Sequence, residues 1–289
     1  MPLPGIVPPP HLDCLVRQMV DSIRRIKYVT IIRNKSFSNL YVNPNSIFFD
    51  PIKGASYYSQ AGNIEEAFWL VFIATHFGKN KKSGWNLARA IYSGLPGIGP
   101  WNWQNITSNF NNFRAWLNAN SLSIKAAGKF GNHRKYQSLD AYSATGTGSA
   151  IGSYIDWVAQ HNNHQNLIAN AIQTVGAAPV DLFDHLYKSM DAVVSFGRTA
   201  KFDYLTMIGK LGLAPIEPGY TYMDGATGPK SGAHLLFDGS INGSSSDHTL
   251  NSNMAILSQS LNLFYCMQVL EDALCNWQKS PATYKYFGG

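Results

Sequence analysis

N-I-E-E-A-F-W-L-V-F-I-A-T-H-F, residues 63–77, is the stretch on which the fold reading turns. Asn63 is a good helix N-cap, and Glu65 and Glu66 follow in the first turn, where the helix dipole favours negative charge. A helix to about Phe77 is therefore expected. Upstream, residues 36–60 are rich in Tyr, Asn, Phe and Pro and read as a connector. Before it, Leu12, Leu15, Val16, Met19, Val20, Ile23 and Ile26 recur at three- and four-residue steps, an amphipathic helix with Asp13 as its acidic cap.

Downstream, helical spacing or composition returns at 82–92, 110–117, 151–159, 165–175, 180–190, 199–211, 250–261 and 264–278. Gly94 and Pro96 end the first of these. Residues 214–246 are rich in Gly, Pro and Ser and are expected to hold a short strand pair or an ordered loop over a site. The G-T-G-S-A-I-G run at 146–152 has the composition of a phosphate loop, but no strand precedes it and the glycine spacing is wrong, so it reads as a helix start. The expected fold is mainly α: a compact multi-helix arrangement with a Gly/Pro-rich loop region at 214–246. Its expected domains are an N-terminal helix and connector at 1–60 and a helical domain at 61–289.

Hydrophobic residues make up 45% of the chain and charged residues 14%, which excludes a disordered chain. The formal charge is +6, and its distribution matters more than its size. Between residues 67 and 139 there is no Asp or Glu, while Lys79, Lys81, Lys82, Arg89, Arg114, Lys125, Lys129, Arg134 and Lys135 all fall there. The remainder of the chain is net acidic. Segregation of this kind is the electrostatic footprint of a phosphate-backbone binder, and equally of a solvated basic face. Cys14, Cys266 and Cys275 lack zinc-ligand spacing and read as reduced thiols, and the eight histidines form no paired motif, so no metal and no cofactor are expected. The M-P-L-P-G-I-V-P-P-P-H start has no apolar signal core and no run is long enough to cross a membrane, which points to a cytoplasmic protein.

Four constellations carry possible chemistry. L-P-G-I-G-P, residues 95–100, matches the turn of helix-hairpin-helix DNA-binding proteins, in which glycines such as Gly97 and Gly99 let backbone N–H groups meet a phosphate. The hairpin glycosylases carry an Asp roughly twenty residues beyond that turn, and here no acid follows the turn until Asp140. K-F-G-N-H-R-K-Y, residues 129–136, echoes H-F-G-K-N-K-K, residues 76–82. Asn132, His133, Arg134 and Lys135, with Lys79, Lys81 and Lys82, would supply donors to phosphates or base edges, Arg134 in bidentate fashion. Trp101 and Trp103 are candidates to stack on a displaced base, against the ordinary alternative of core packing. In L-E-D-A-L-C-N-W-Q-K, residues 270–279, Glu271, Cys275 and Lys279 share one helix face if the helix persists. Glu66, Asp203, Glu271 and Asp272 are the candidate carboxylates for stabilising a cationic sugar or activating water, each with a structural ion pair as the alternative. Lys279 is the candidate for a Schiff base.

At these residues the chain resembles a known family. E-E-A-F-W-L-V-F-I-A-T-H-F-G-K-N-K-K-S-G-W, F-G-N-H-R-K-Y-Q-S-L, K-F-D-Y-L-T-M-I-G-K-L-G-L-A-P-I-E-P-G, G-A-T-G-P and Q-V-L-E-D-A-L-C-N-W-Q-K-S-P resemble, in order, the α-glutamyl/putrescinyl thymine pyrophosphorylase clade 3 family. The resemblance runs from about Tyr57 to the C-terminus. It implies placement in the DNA glycosylase superfamily, a glycosylase-like helical fold, and action on hypermodified bases in double-stranded phage DNA without a metal. Similarity extends to phage-defence glycosylases that remove glucosylated hydroxymethylcytosine. On the matching motifs, His76 and Asn276 join the residues above as candidate pocket residues. Two enzyme activities remain open, base excision to leave an abasic site and transfer onto an activated hydroxymethyluracil, beside non-enzymatic DNA binding.

Overall fold

The computed structural model describes residues 1–95 and 99–287, with the backbone alone at Asn132. Of the described residues 63% are helical, and none forms a strand. Fourteen α-helices follow in order: α1 (Pro9–Asn34), α2 (Pro51–Gln60), α3 (Ile64–Phe77), α4 (Asn86–Ser93), α5 (Trp103–Ser108), α6 (Phe110–Ala119), α7 (Ser121–Ala127), α8 (Thr147–Ala159), α9 (His164–Val175), α10 (Pro179–Ser189), α11 (Arg198–Lys210), α12 (Gly228–Asp238), α13 (Asp247–Leu261) and α14 (Cys266–Trp277). The mainly helical reading holds.

The chain divides into two units, one of Met1–Thr30 with Glu217–Gly289 and one of Ile31–Ile216. The division is discontinuous in sequence, whereas composition suggests a single boundary at residue 60. In the first unit the N-terminal part of α1 joins α12, α13 and α14 around Leu15, Leu236, Leu250, Met254, Leu270, Leu274 and Trp277. The Trp277 indole N–H donates to the His11 carbonyl at 3.1 Å, fastening α14 to α1. α1 starts four residues before Asp13, so Asp13 is no cap. It pairs instead with Arg17 one turn on, at 2.8 Å.

α12 corrects the expectation of a non-helical segment over 214–246. Gly228, Pro229 and Gly232 read as breakers, but Pro229 lies in the first turn, where its missing N–H costs nothing. Gly232 packs against α14 so closely that a Cβ would fall 2.3 Å from the Leu274 carbonyl oxygen. The glycine there serves helix contact, not a turn.

In the second unit, α3 is the centre. Its residues from Ala67 to Ile73 are buried on every side, as expected of a helix apolar all round. α2, α4, α5, α9 and α11 pack on it. Asn63 caps it as expected, its Oδ1 accepting from Glu66 N. α2 lies within the stretch read as connector and begins at a cap from Asp50, which accepts from the Ile52 and Lys53 N–H groups. α4 starts at Asn86 rather than at 82, because the Asn80 side chain accepts from Lys82 N and Ser83 N and holds a turn closed by an Asn80–Gly84 bridge.

Candidate nucleic-acid interface and its carboxylate

α3 ends at Phe77 because Gly78 takes a left-handed φ of +65°, and that turn decides the site. A Cβ on Gly78 would lie 3.1 Å from Gly131 Cα, and one on Gly131 would lie 2.8 Å from Gly78 C, so the two F-G motifs touch backbone to backbone. Gly131 N donates to the Phe77 carbonyl at 2.8 Å, Asn80 Nδ2 to the Phe130 carbonyl at 2.9 Å, and Lys129 N to Ser83 Oγ at 3.2 Å. Phe77 and Phe130 stack beneath, centroids 5.6 Å apart. Two basic segments far apart in sequence thereby form one double loop. Lys79, Lys81, Lys82, Lys129, His133 and Lys135 are all exposed on it.

Arg134 belongs to the same loop but does not face solvent. It is 8% exposed, its Nε donates to the Thr75 carbonyl at 2.8 Å, and its terminal nitrogen pairs with Asp203 Oδ2 at 3.1 Å. The expected bidentate phosphate grip by Arg134 is therefore corrected: the guanidinium positions a carboxylate. Asp203, on α11, keeps 46% of its side chain exposed. Among the four candidate acids of the sequence it is the one joined to the basic double loop.

His76 lies just inside this junction, 1% exposed. The Thr147 hydroxyl donates to the Ser138 carbonyl at 2.7 Å, so His76 Nε2 is the donor in its 3.0 Å contact with Thr147 Oγ1. Burial, and then the nearby Arg134 charge, push the His76 pKa down to about 3. It is a neutral donor that ties α3 to the start of α8.

The other end of α3 holds a second polar cluster. Glu66 is buried, with Oε1 accepting from the Tyr92 hydroxyl at 2.7 Å and Oε2 from Trp103 N at 2.8 Å. Burial raises its pKa, against the lowering effect of those two donors. Both oxygens accept from protein donors, and the residue is 4% exposed. Glu65 accepts from His164 Nδ1 at 2.6 Å and from His164 N at 3.0 Å. His164 Nε2 meets the Tyr154 hydroxyl at 2.7 Å, and that hydroxyl meets Tyr204 at 2.8 Å. Burial lowers the His164 pKa despite the Glu65 carboxylate, and burial also raises both tyrosines. Burial acts to raise Glu65 too, but the His164 bonds outweigh it and hold the carboxyl below its usual value. The sequence offers no spacing signal for this chain of bonds, since its members lie on four helices.

Trp101 and Trp103 do not stand free as stacking platforms. Trp101 is buried edge-on to Phe113 at 5.4 Å, and Trp103 packs on His164 at 4.7 Å and on Trp69 at 5.9 Å. Gly97 lies outside the described residues. Gly99, with Pro100, Trp101, Asn105, Asn109, Asn112 and Trp116, lines a pocket of about 350 Å³ that carries no charged side chain.

Glu271, Asp272, Asn276 and Lys279 belong to the first unit. Asp272 Oδ2 accepts from Arg25 at 2.5 Å and Oδ1 from Asn276 Nδ2 at 3.2 Å, while Lys279 Nζ donates to Asn276 Oδ1 at 3.1 Å. α14 ends at Trp277, so the four-residue step from Cys275 to Lys279 leaves the helix and the shared face is not formed. Glu271 is half-buried on α14.

Among the described residues no group of three or more His, Cys, Asp or Glu is placed to hold a metal ion, and no helix is long and apolar enough to cross a membrane. Comparison with curated proteins and with solved structures gives no significant match. The family model for alpha-glutamyl/putrescinyl thymine pyrophosphorylase clade 3 matches residues 10–289. That match spans nearly the whole chain, so the protein belongs to the alpha-glutamyl/putrescinyl thymine pyrophosphorylase clade 3 family.

Proposed function

We propose that the protein is a DNA glycosylase that excises a hypermodified pyrimidine, of the glucosylated hydroxymethyl kind, from double-stranded phage DNA in antiviral defence. The observation that carries this reading is Asp203, a half-exposed carboxylate held by buried Arg134 at the edge of a loop pair studded with exposed lysines. Lysines there neutralise backbone phosphates, an interaction that is sequence-independent and salt-sensitive. As the bond between C1′ and the base nitrogen breaks, the sugar gains positive charge, which an adjacent carboxylate stabilises. Water then adds to C1′, giving up a proton to Asp203 or solvent, and the base leaves with its bonding electrons and is protonated. An abasic site remains. Arg134 keeps the carboxylate oriented between turnovers.

The family name favours a second reading, a transferase making hypermodified thymine. In that reaction an amine displaces pyrophosphate from an activated hydroxymethyluracil, and Asp203 takes the amine proton. Incubation with modified phage DNA separates the two by mass spectrometry. Free modified base and abasic sites are expected of the glycosylase. A new base adduct with released pyrophosphate would replace that reading with the transferase, and unchanged DNA would leave only binding.

A further inference from the structure

We propose that Tyr136 is the platform on which an unpaired or extruded nucleobase stacks when the double loop holds the DNA backbone; this rests on the nucleic-acid reading above. Tyr136 is 88% exposed, more than any other large apolar or aromatic side chain described. A single exposed aromatic is ordinary on a protein surface, and its setting is what distinguishes this one. Arg134 N donates to the Gly131 carbonyl and Gln137 N to the Arg134 carbonyl, each at 2.9 Å, and the Arg134 side chain is locked to Thr75 and Asp203. On the far side the Ser138 carbonyl accepts from both Thr147 N, at 2.9 Å, and Thr147 Oγ1, at 2.7 Å. Residues 134 and 138 are thus fixed to the scaffold, and the short arch between them presents Lys135 and Tyr136 outward.

With the backbone held on both sides, mainly the two side-chain torsions of Tyr136 remain to be ordered on binding, a small cost for a stacking contact. Lys135 Nζ lies over the Tyr136 ring, 4.9 Å from its centre, so a cation able to meet a phosphate sits on one face while the 88% exposure leaves the other to a base. Tyr142, the other exposed tyrosine nearby in sequence, also lies under a cation, the Arg114 guanidinium at 4.7 Å, and is only 56% exposed. Trp101 is buried against Phe113, and Trp103 packs on His164 and Trp69. The position of Tyr136 therefore supplies what the two tryptophans do not.

The test uses the full chain and a short single-stranded DNA carrying one 2-aminopurine, with affinity and fluorescence quenching followed across a salt series. Tyr136→Ala is expected to weaken binding about tenfold and to relieve the quenching, with the salt slope unchanged because every cation is retained. Tyr136→Phe is expected to restore both. A Lys79→Gln and Lys81→Gln double variant is expected to do the reverse, lowering the salt slope while the bound complex still quenches. If Tyr136→Ala binds and quenches like the unaltered protein while the lysine variant loses affinity, the stacking role is wrong and the interface stands. If the unaltered protein fails to bind DNA at all, the interface falls and the stacking role with it.

Discussion

The two ends of α3 are built from similar materials and differ in what they leave open. At the N-terminal end Glu66, Tyr92, Glu65, His164, Tyr154 and Tyr204 form short, mutually satisfied bonds among packed rings. At the C-terminal end His76 and Arg134 are also buried, but the Arg134 bonds run out to Asp203, which is half in solvent at the edge of the lysine-bearing loops. A buried polar group with every partner supplied by the protein holds a scaffold together. A charge whose partner fixes it while one side stays open is available to a ligand. On this comparison the first cluster is largely closed by the protein and the second is left partly open.

The largest expected break in the comparison is Asp203→Asn. Base-directed turnover should fall by about 10²–10⁴-fold, the scale of losing a positioned carboxylate, without loss of DNA affinity, while the melting temperature drops because buried Arg134 loses its counter-charge. Unchanged turnover would move the chemistry away from this end of α3. Next, changing Lys79, Lys81, Lys82 and Lys129 together to Gln should reduce the slope of log affinity against log salt by roughly 0.9 for each phosphate left without its lysine. An unaltered slope would show that the double loop does not meet the backbone.

At the other end, His164→Ala should cost on the order of 2–4 kcal/mol in unfolding free energy, because Glu65 and Tyr154 lose a buried partner and a ring-sized void remains. Turnover per folded molecule should stay as it was, and loss of turnover without loss of stability would make this cluster catalytic. A last test sharpens the contrast by pH. Burial lowers the pKa of His76, to about 3, and also that of His164, so the folded protein refuses protons that the unfolded chain accepts below about 6.5. Stability is fully present above that value and should decline as pH falls, by up to ~1.4 kcal/mol per pH unit for each histidine. Urea titrations at several pH values would test it, and a flat profile would mean that the two rings charge in the folded state.

Legibility in the sequence follows the range of the interaction. The Asn63 cap and the helix through Phe77 are readable because cap, first-turn acids and apolar run are neighbours. The 146–152 run is readable as a helix start for the same reason, and α8 begins at Thr147. α12 is hidden because Gly228 and Gly232 carry the local signature of a breaker, while their reason is the α14 backbone and the Cys275 sulfur alongside. Lys279 is misplaced for want of two residues of helix, since the end of α14 depends on packing around Trp277 rather than on spacing. Arg134 looks like a phosphate ligand because its neighbours are exposed cations. Its partners, Thr75 and Asp203, lie 59 and 69 residues away.

By itself, the sequence determined the helical class, the capped helix from Asn63 to about Phe77, and the concentration of positive charge between residues 67 and 139. These follow from periodicity and composition, which act over a turn or two of chain. Only the tertiary structure decided that two F-G loops meet, that Asp203 rather than Glu66 or Asp272 is the open carboxylate, and that the first thirty residues pack with the last seventy-three. Those outcomes depend on which surfaces exclude water from one another, a property of contacts between distant segments that no local pattern encodes.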